Sequence, residues 1–115
     1  MPPGAPRILV VDDDAVTRHI LVGYLTRAGY GTSTAQSGDE AIEVANRESP
    51  SLILLDLVIP APDGYEVLRL LRAEAATRDL PVVVLTALEG DEEIDRAFEA
   101  GADDFLRKPF RAAEL

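Results

Sequence analysis

Three carboxylates stand next to one another near the start of the chain. Asp12, Asp13 and Asp14 directly follow the apolar residues 8–11, a run typical of a buried strand. Adjacent carboxylates repel, and burying one without a partner costs several kcal/mol. Either these acids only end the strand and begin a helix, or a positive group lies among them. Asp14 suits the first role, because aspartate is a favoured helix N-cap. The role of Asp12 and Asp13 depends on the polar residues elsewhere in the sequence.

Polar residues also end three later apolar runs. Asp56 follows "SLILL", Thr86 follows "LPVVVL" and Lys108 follows "DFLR". The carboxyl ends of parallel strands share one edge of a sheet, and open α/β sheets bind ligands there. We therefore expect these side chains to meet Asp12 and Asp13. A site with few carboxylates, several retained waters and a phosphate oxygen suits Mg²⁺. The lysine and threonine add donors for the other phosphate oxygens, so the pattern predicts a phosphoryl-transfer site.

Apolar strand-type runs alternate with segments of helical period along the whole chain. This alternation predicts an α/β fold, a doubly wound parallel sheet with helices on both faces and right-handed crossovers. We predict a disordered segment at 1–6 and one domain at 7–115, with a fifth helix that stops after its first turn and a natural chain that continues beyond Leu115. Strands are predicted at 7–11, 31–36, 51–56, 80–86 and 104–108, and helices at 15–27, 38–47, 65–77 and 91–101.

The helical spacing also predicts which side chains face the sheet. In the first helix, apolar residues recur at i, i+3 and i+4 spacing, namely Val16, Ile20, Leu21, Tyr24, Leu25 and Ala28. The inward residues are expected to be Val67, Leu68, Leu71 and Ala75 in the third helix and Ile94, Ala97 and Phe98 in the fourth.

The composition indicates which kinds of molecule this domain is expected to bind. The chain has 115 residues, with 21 acids against 11 bases and a net charge of −10. This charge argues against nucleic acid as a partner of this domain, because phosphate backbones bind cationic surfaces. The absence of cysteine excludes disulfides and thiolate metal sites. No apolar run suggests a signal peptide or a membrane span, so we expect a cytoplasmic protein without a membrane partner.

Four motifs together resemble one known family. "ILVVDD", "PSLILLDLVIPAPDG", "PVVVLTA" and "GADDFLRKPF" are similar, in order and spacing over about residues 7–110, to the signatures of the receiver domain of two-component response regulators. The resemblance implies a five-stranded sheet in the order 2-1-3-4-5, as in the chemotaxis member of the family. It also implies a sensor histidine kinase or histidine phosphotransfer protein as partner. An output domain or a homodimer contact is then expected outside these residues.

The resemblance assigns the central chemistry to five positions. Asp56 would take a phosphoryl group from a phosphohistidine and become an aspartyl phosphate. Asp13, Asp56 and the backbone carbonyl of Val58 would bind Mg²⁺, with Asp12 acting through metal-bound water. Lys108 would pair with Asp56 and later with the phosphoryl group.

The remaining positions implied by the resemblance concern the switch and the lifetime of the phosphoryl group. Thr86 would move to hydrogen-bond the phosphoryl group, and Phe105 would turn inward with it. Ala87 would leave room for the phosphoryl group, while the apolar side chains of Val58 and Leu88 would shield it from water. A kinase would dock around Val16, His19 and Ile20 on the first helix.

Two other interpretations compete with this one. Residues 8–16 also fit the hhhhDxDx(T/V) pattern of haloacid-dehalogenase-type phosphatases, in which Asp12 would be the nucleophile and Asp14 the general acid. Such an enzyme has no need for Asp56 and places an acidic pair after the lysine, whereas Asp103 and Asp104 precede it here. The second alternative is a pseudo-receiver that never accepts phosphate, although every chemical position of the family is filled. We therefore expect a signalling domain that is not an enzyme on other substrates.

Overall fold

The computed structural model describes residues 6–86 and 91–107 of the chain. Its elements follow the predicted alternation of strands and helices. The strands are β1 (Arg7–Val11), β2 (Gly31–Ala35), β3 (Leu52–Asp56), β4 (Val82–Thr86) and β5 (Asp104–Arg107). The helices are α1 (Ala15–Arg27), α2 (Gly38–Glu48), α3 (Gly64–Ala73) and α4 (Asp91–Ala100). Most of the segment predicted to be disordered and the predicted start of a fifth helix lie outside the described residues.

The five strands form one parallel sheet in the order β2-β1-β3-β4-β5. This confirms the predicted α/β fold and strand order. The direction of winding reverses between β1 and β3, which are neighbours with Val10 opposite Leu54. The carboxyl ends of β1 and β3 therefore lie side by side at the switch point, where sheets of this kind bind ligands.

Both faces of the inner strands β1 and β3 are buried. Alternate residues of the strands point to opposite faces, so Leu9 and Val11 join the larger core beneath α2, α3 and α4, whereas Ile8 and Val10 pack with Leu21 of α1. Burial on both faces explains why the inner strands are apolar at nearly every position. None of the helices within the described residues is long and apolar enough to cross a bilayer.

The buried face of α1 is formed by one of its two apolar stripes. Leu21 and Leu25 are buried, but Val16 and Ile20 are 66% and 44% exposed. Apolar residues occur around most of this helix, so two stripes satisfy the i, i+4 spacing, and the spacing cannot show which of them meets the sheet. Ala28, which caps the helix, is also exposed.

The end of α3 was predicted too late, because the helix stops at Ala73 and Glu74 is extended. The Thr77 hydroxyl is buried and donates a hydrogen bond of 2.6 Å to the carbonyl of Leu71, which satisfies a carbonyl of the last turn. The chain thus turns away from the helix here, and Ala75 is exposed instead of inward.

In α4, Ile94 and Ala97 are buried as predicted, but Phe98 is 42% exposed. Its ring makes a T-shaped contact with the Phe105 ring of β5, with 6.0 Å between ring centroids and 83° between the planes. Phe98 therefore lies on the flank of α4 facing β5 and not beneath the helix.

Candidate functional site

The structure brings three carboxylates together at the carboxyl edge of the sheet. Asp12 follows β1 and Asp56 ends β3, and the exposed Asp13 lies beside them. Each of the three can offer one oxygen such that all three oxygens lie within 4.8 Å of one another. Asp12 is fully buried and Asp56 is 6% exposed. The predicted meeting of these acids at the strand ends is thus present in the fold.

Asp12 is held by hydrogen bonds from its backbone and side chain. Its N–H donates to the carbonyl of Ala35 over 3.1 Å, and its carbonyl accepts a bond of 2.6 Å from the guanidinium of Arg18. Its carboxylate Oδ1 accepts from the N–H of Asp14 over 2.9 Å. These bonds fix the direction of the Asp12 carboxylate before any ligand arrives.

Asp14 has a different role from its two neighbours. Its carboxylate accepts from the N–H of Val16 at 3.1 Å and from the hydroxyl of Thr17 at 2.8 Å. Its backbone is extended and α1 begins at the next residue, so Asp14 is the helix N-cap that the sequence predicted.

The backbone after Asp56 is packed closely against the start of α3. The N–H of Val58 donates to Asp56 Oδ1 over 3.1 Å, and the N–H of Gly64 donates to the carbonyl of Leu57 over 3.1 Å. A Cβ at position 64 would lie 2.5 Å from the Leu57 Cα and 2.8 Å from the Asp56 carbonyl oxygen. Only glycine permits this approach, while Asp63 caps the helix by accepting from Glu66 N–H.

The donor set suits a hard divalent cation. All the ligand atoms of the cluster are carboxylate oxygens, which Mg²⁺ and Ca²⁺ prefer, and Mg²⁺ is the choice where few carboxylates and several waters complete the shell. Opposite ligands of octahedral Mg²⁺ lie about 4 Å apart, close to the spread of these three oxygens. The residues therefore fit Mg²⁺, and a cation among them would relieve their mutual repulsion.

The other predicted site residues are partly described. Thr86 is fully buried at the end of β4, which neighbours β3. Phe105 on β5 is half-buried, opposite Val84 in the register of the two strands. Lys108, Ala87 and Leu88 lie outside the described residues.

The family model described as the response regulator receiver domain matches residues 8–115. The chain belongs to this family.

Known receiver domains and response regulators resemble the chain over most of its length. The phosphate regulon transcriptional regulatory protein PhoB of Klebsiella pneumoniae is 43% identical over 111 residues, covering 96% of this chain and 48% of PhoB. The chain thus spans about half the length of that relative. The chemotaxis protein CheY4 of Vibrio cholerae superposes with a TM-score of 0.91 at 28% identity, covering 96% of this chain and 92% of CheY4.

A further solved structure contains a metal ion. The receiver domain of the sensor histidine kinase PA1611 from Pseudomonas aeruginosa PAO1 has a magnesium ion coordinated in its active site cleft. It superposes with a TM-score of 0.87 at 36% identity, covering 97% of this chain and 92% of that domain.

The structure shows two sets of contacts that the sequence motifs do not indicate, one made by Arg18 and one by Tyr65. Arg18 lies near the amino end of α1, where a positive charge opposes the helix dipole, and this unfavourable placement could have directed attention to its bond with Asp12. The second set is that of Tyr65, which is 5% exposed and contacts α4 through Glu93 and Arg96. The sequence around Tyr65 gives no sign of these contacts, because the partner residues lie about thirty positions later in the chain.

Proposed function

We propose that this receiver domain accepts a phosphoryl group on Asp56 from the phosphohistidine of a sensor histidine kinase or a histidine phosphotransfer protein. The observation that carries the proposal is the cluster of Asp12, Asp13 and the buried Asp56 at the switch point of a receiver fold. Asp56 is a buried carboxylate at the end of a central strand, oriented by the N–H of Val58 and next to two further carboxylates. This arrangement suits a nucleophile that accepts a phosphoryl group beside a divalent cation.

In the proposed reaction, a carboxylate oxygen of Asp56 attacks the phosphorus. A new P–O bond forms while the P–N bond to the histidine breaks, and the histidine nitrogen keeps the electron pair. The N–H of Val58 orients the carboxylate through Oδ1. The rigid backbone of Asp56 and Leu57 against Gly64 keeps the nucleophile in place, and positioning of this kind supplies much of the catalysis of phosphoryl transfer.

Asp13, Asp56 and the carbonyl of Val58 would hold Mg²⁺, with Asp12 acting through a bound water. When bound, the cation would neutralise charge on the phosphoryl oxygens during transfer. Asp12 suits the outer position because its carboxylate is already oriented by the N–H of Asp14. Asp13 is exposed and can meet a hydrated cation arriving from solvent.

The response to phosphorylation is proposed to use residues on β4 and β5 and just beyond them. Lys108 would contact a phosphoryl oxygen, and Thr86 would hydrogen-bond another, with Phe105 turning inward as Thr86 moves. Ala87 would leave space for the group and Leu88 would help to shield it. The half-buried Phe105 ring supports this proposal, because its partial exposure leaves it room to move.

The output of the signal is proposed to lie in segments beyond this chain, since PhoB is about twice as long and is named a transcriptional regulatory protein. A homodimer contact is the other expected consequence of phosphorylation. We do not assign nucleic-acid binding to the receiver itself, because its net charge is −10. The cytoplasmic location and the kinase docking surface around Val16, His19 and Ile20 stay predictions, and these three side chains are exposed.

The experiment that tests this proposal is incubation with acetyl phosphate, followed by intact-mass measurement. We expect one added phosphoryl group in the presence of Mg²⁺, little with excess chelator, and none in Asp56→Asn. A phosphatase with Asp12 as nucleophile would instead continue to release inorganic phosphate in Asp56→Asn and stop in Asp12→Asn. Absence of the added group in the wild type under all conditions would support the pseudo-receiver interpretation.

A further inference from the structure

We propose that Tyr65 is a positioning residue that holds α4 against the backbone of the phosphoacceptor. The tie consists of its hydrogen bond to Glu93 and its cation–π contact with Arg96. The inference rests on the proposed function, since it concerns how the state of Asp56 is linked to α4. It draws on contacts that join the segment after β3 to the helix after β4.

The first part of the link is the close packing of α3 on the site. Gly64 touches the backbone of Asp56 and Leu57 so closely that no side chain fits between them. Tyr65 is the next residue, so the position of its Cα is fixed relative to the phosphoacceptor backbone. Movement of that backbone is therefore transmitted to Tyr65 without a flexible segment in between.

The second part of the link is the contact of Tyr65 with α4. Its hydroxyl donates a hydrogen bond of 3.2 Å to the carbonyl of Glu93, in the first turn of α4. The guanidinium carbon of Arg96, one turn later, lies 4.0 Å from the centroid of the Tyr65 ring. The ring is 5% exposed whereas Arg96 is exposed, so a cation covers the outer face of a buried aromatic ring.

The phenol keeps the proton that it donates. Burial raises the pKa of the Tyr65 hydroxyl, and the charges of Glu93 and Asp63 add to the rise while Arg96 opposes it. The hydrogen bond to α4 is therefore present throughout the neutral pH range.

These contacts oppose any change in the position of α4 relative to α3. In the proposed function, phosphorylation is coupled to movement of Thr86 and Phe105. Thr86 ends β4 and Phe105 lies on β5, so α4 lies between them in the chain. Displacing α4 would separate Arg96 from the ring of Tyr65, so the tie stabilises the arrangement described here. Weakening the tie should make the rearrangement easier and phosphorylation of Asp56 faster.

The test measures the rate of phosphorylation by acetyl phosphate in saturating Mg²⁺. We expect Arg96→Met to accelerate the reaction about two- to fivefold, the factor that an exposed cation–π contact supports. Arg96→Lys keeps a cation and should restore most of the wild-type rate. Arg69→Met, an exposed arginine of α3, is the matched control and should leave the rate unchanged. In Tyr65→Leu, a further Arg96→Met change should have no additional effect.

A second readout does not depend on phosphorylation. Amide hydrogen exchange in the first turns of α4 should be faster in Arg96→Met than in Arg69→Met, in unphosphorylated protein. Unchanged exchange together with an unchanged phosphorylation rate would overturn the tie. If no variant, including the wild type, is phosphorylated, the proposed function fails, and faster exchange in α4 would still support the tie as a link between the helices. Unchanged exchange would overturn it in that case as well.

Discussion

At the scale of residues, the three carboxylates of the site differ in how they are held. Asp12 is buried and its polar groups are engaged by Ala35, Arg18 and Asp14. Asp13 is exposed to solvent beside it. The fixed carboxylate of Asp12 can orient a water, whereas the exposed carboxylate of Asp13 is suited to meet a cation that arrives with its hydration shell.

This difference predicts the effect of neutralising Asp13. Opposite unit charges about 4 Å apart attract by about 1 kcal/mol even in bulk water, and a divalent cation doubles this. We expect Asp13→Asn to weaken Mg²⁺ binding about tenfold or more, measured by isothermal titration calorimetry. Asp79→Asn removes an exposed carboxylate outside the cluster and should leave the affinity nearly unchanged. Equal losses in both variants would mean that only the overall charge matters.

Val58 gives a second prediction at this scale. Its side chain is 60% exposed although it directly follows the phosphoacceptor turn. An amide in its place could hold an attacking water with a hydrogen bond worth about 0.5–1.5 kcal/mol, which corresponds to about two- to tenfold in rate. Val58→Asn should therefore shorten the lifetime of the phosphorylated protein by that factor, followed by intact mass over time.

The control for this prediction is Leu70→Asn, which changes an exposed apolar side chain on the outer face of α3. We expect it to leave the lifetime unaltered. An unchanged or longer lifetime in Val58→Asn would contradict the proposed shielding.

At the scale of elements, one arginine joins α3 to the segments that lead into β4 and β5. Arg72 donates to the carbonyl of Gly101 through Nε at 3.0 Å and Nη2 at 2.7 Å, and to the carbonyl of Leu80 at 2.6 Å. It also pairs with Asp103 at 2.9 Å, whose carboxylate accepts from the N–H of Val82. A planar fork of donors serves several carbonyls at once, which lysine cannot do.

The loss of this arginine should be costly. Hydrogen bonds to charged groups contribute about 1.5–3 kcal/mol each to the free energy of unfolding. The side chain of Arg72 is only 21% exposed. We expect Arg72→Ala to lower the free energy of unfolding by roughly 2–4 kcal/mol, measured by urea denaturation. Arg69→Ala, exposed on the same helix, should change it by less than about 0.5 kcal/mol. Similar small changes in both would show that the network contributes little.

The elements that the sequence predicted well are those defined by local chemistry. Asp14 caps α1 through a bond to the backbone N–H two residues ahead, as predicted, and such bonds depend only on nearby residues. Helical spacing does not show the end of α3 or the buried face of α1. The end of α3 is marked by the bond from the Thr77 hydroxyl to Leu71, and in α1 the buried Leu21 and the exposed Ile20 both lie on stripes of helical spacing.

At the scale of the whole molecule, the site exists because parallel strands bring their carboxyl ends to one edge. Asp12 and Asp56 are 44 positions apart in the sequence, yet β1 and β3 are neighbours in the sheet. The alternation of strands and helices predicted the shared edge, but the order of the strands followed only from the resemblance to receiver domains. Periodicity identifies strands and cannot say which of them are adjacent.

The most direct test of the central claim identifies the residue that carries the phosphoryl group. Borohydride reduces an aspartyl phosphate to homoserine, so the protein is treated with acetyl phosphate and Mg²⁺, reduced, digested and mapped by mass spectrometry. We predict homoserine at position 56, and none when Mg²⁺ is removed by a chelator. Homoserine at position 12 or 13, with Asp56 unchanged, would contradict the assignment of Asp56 as the phosphoacceptor.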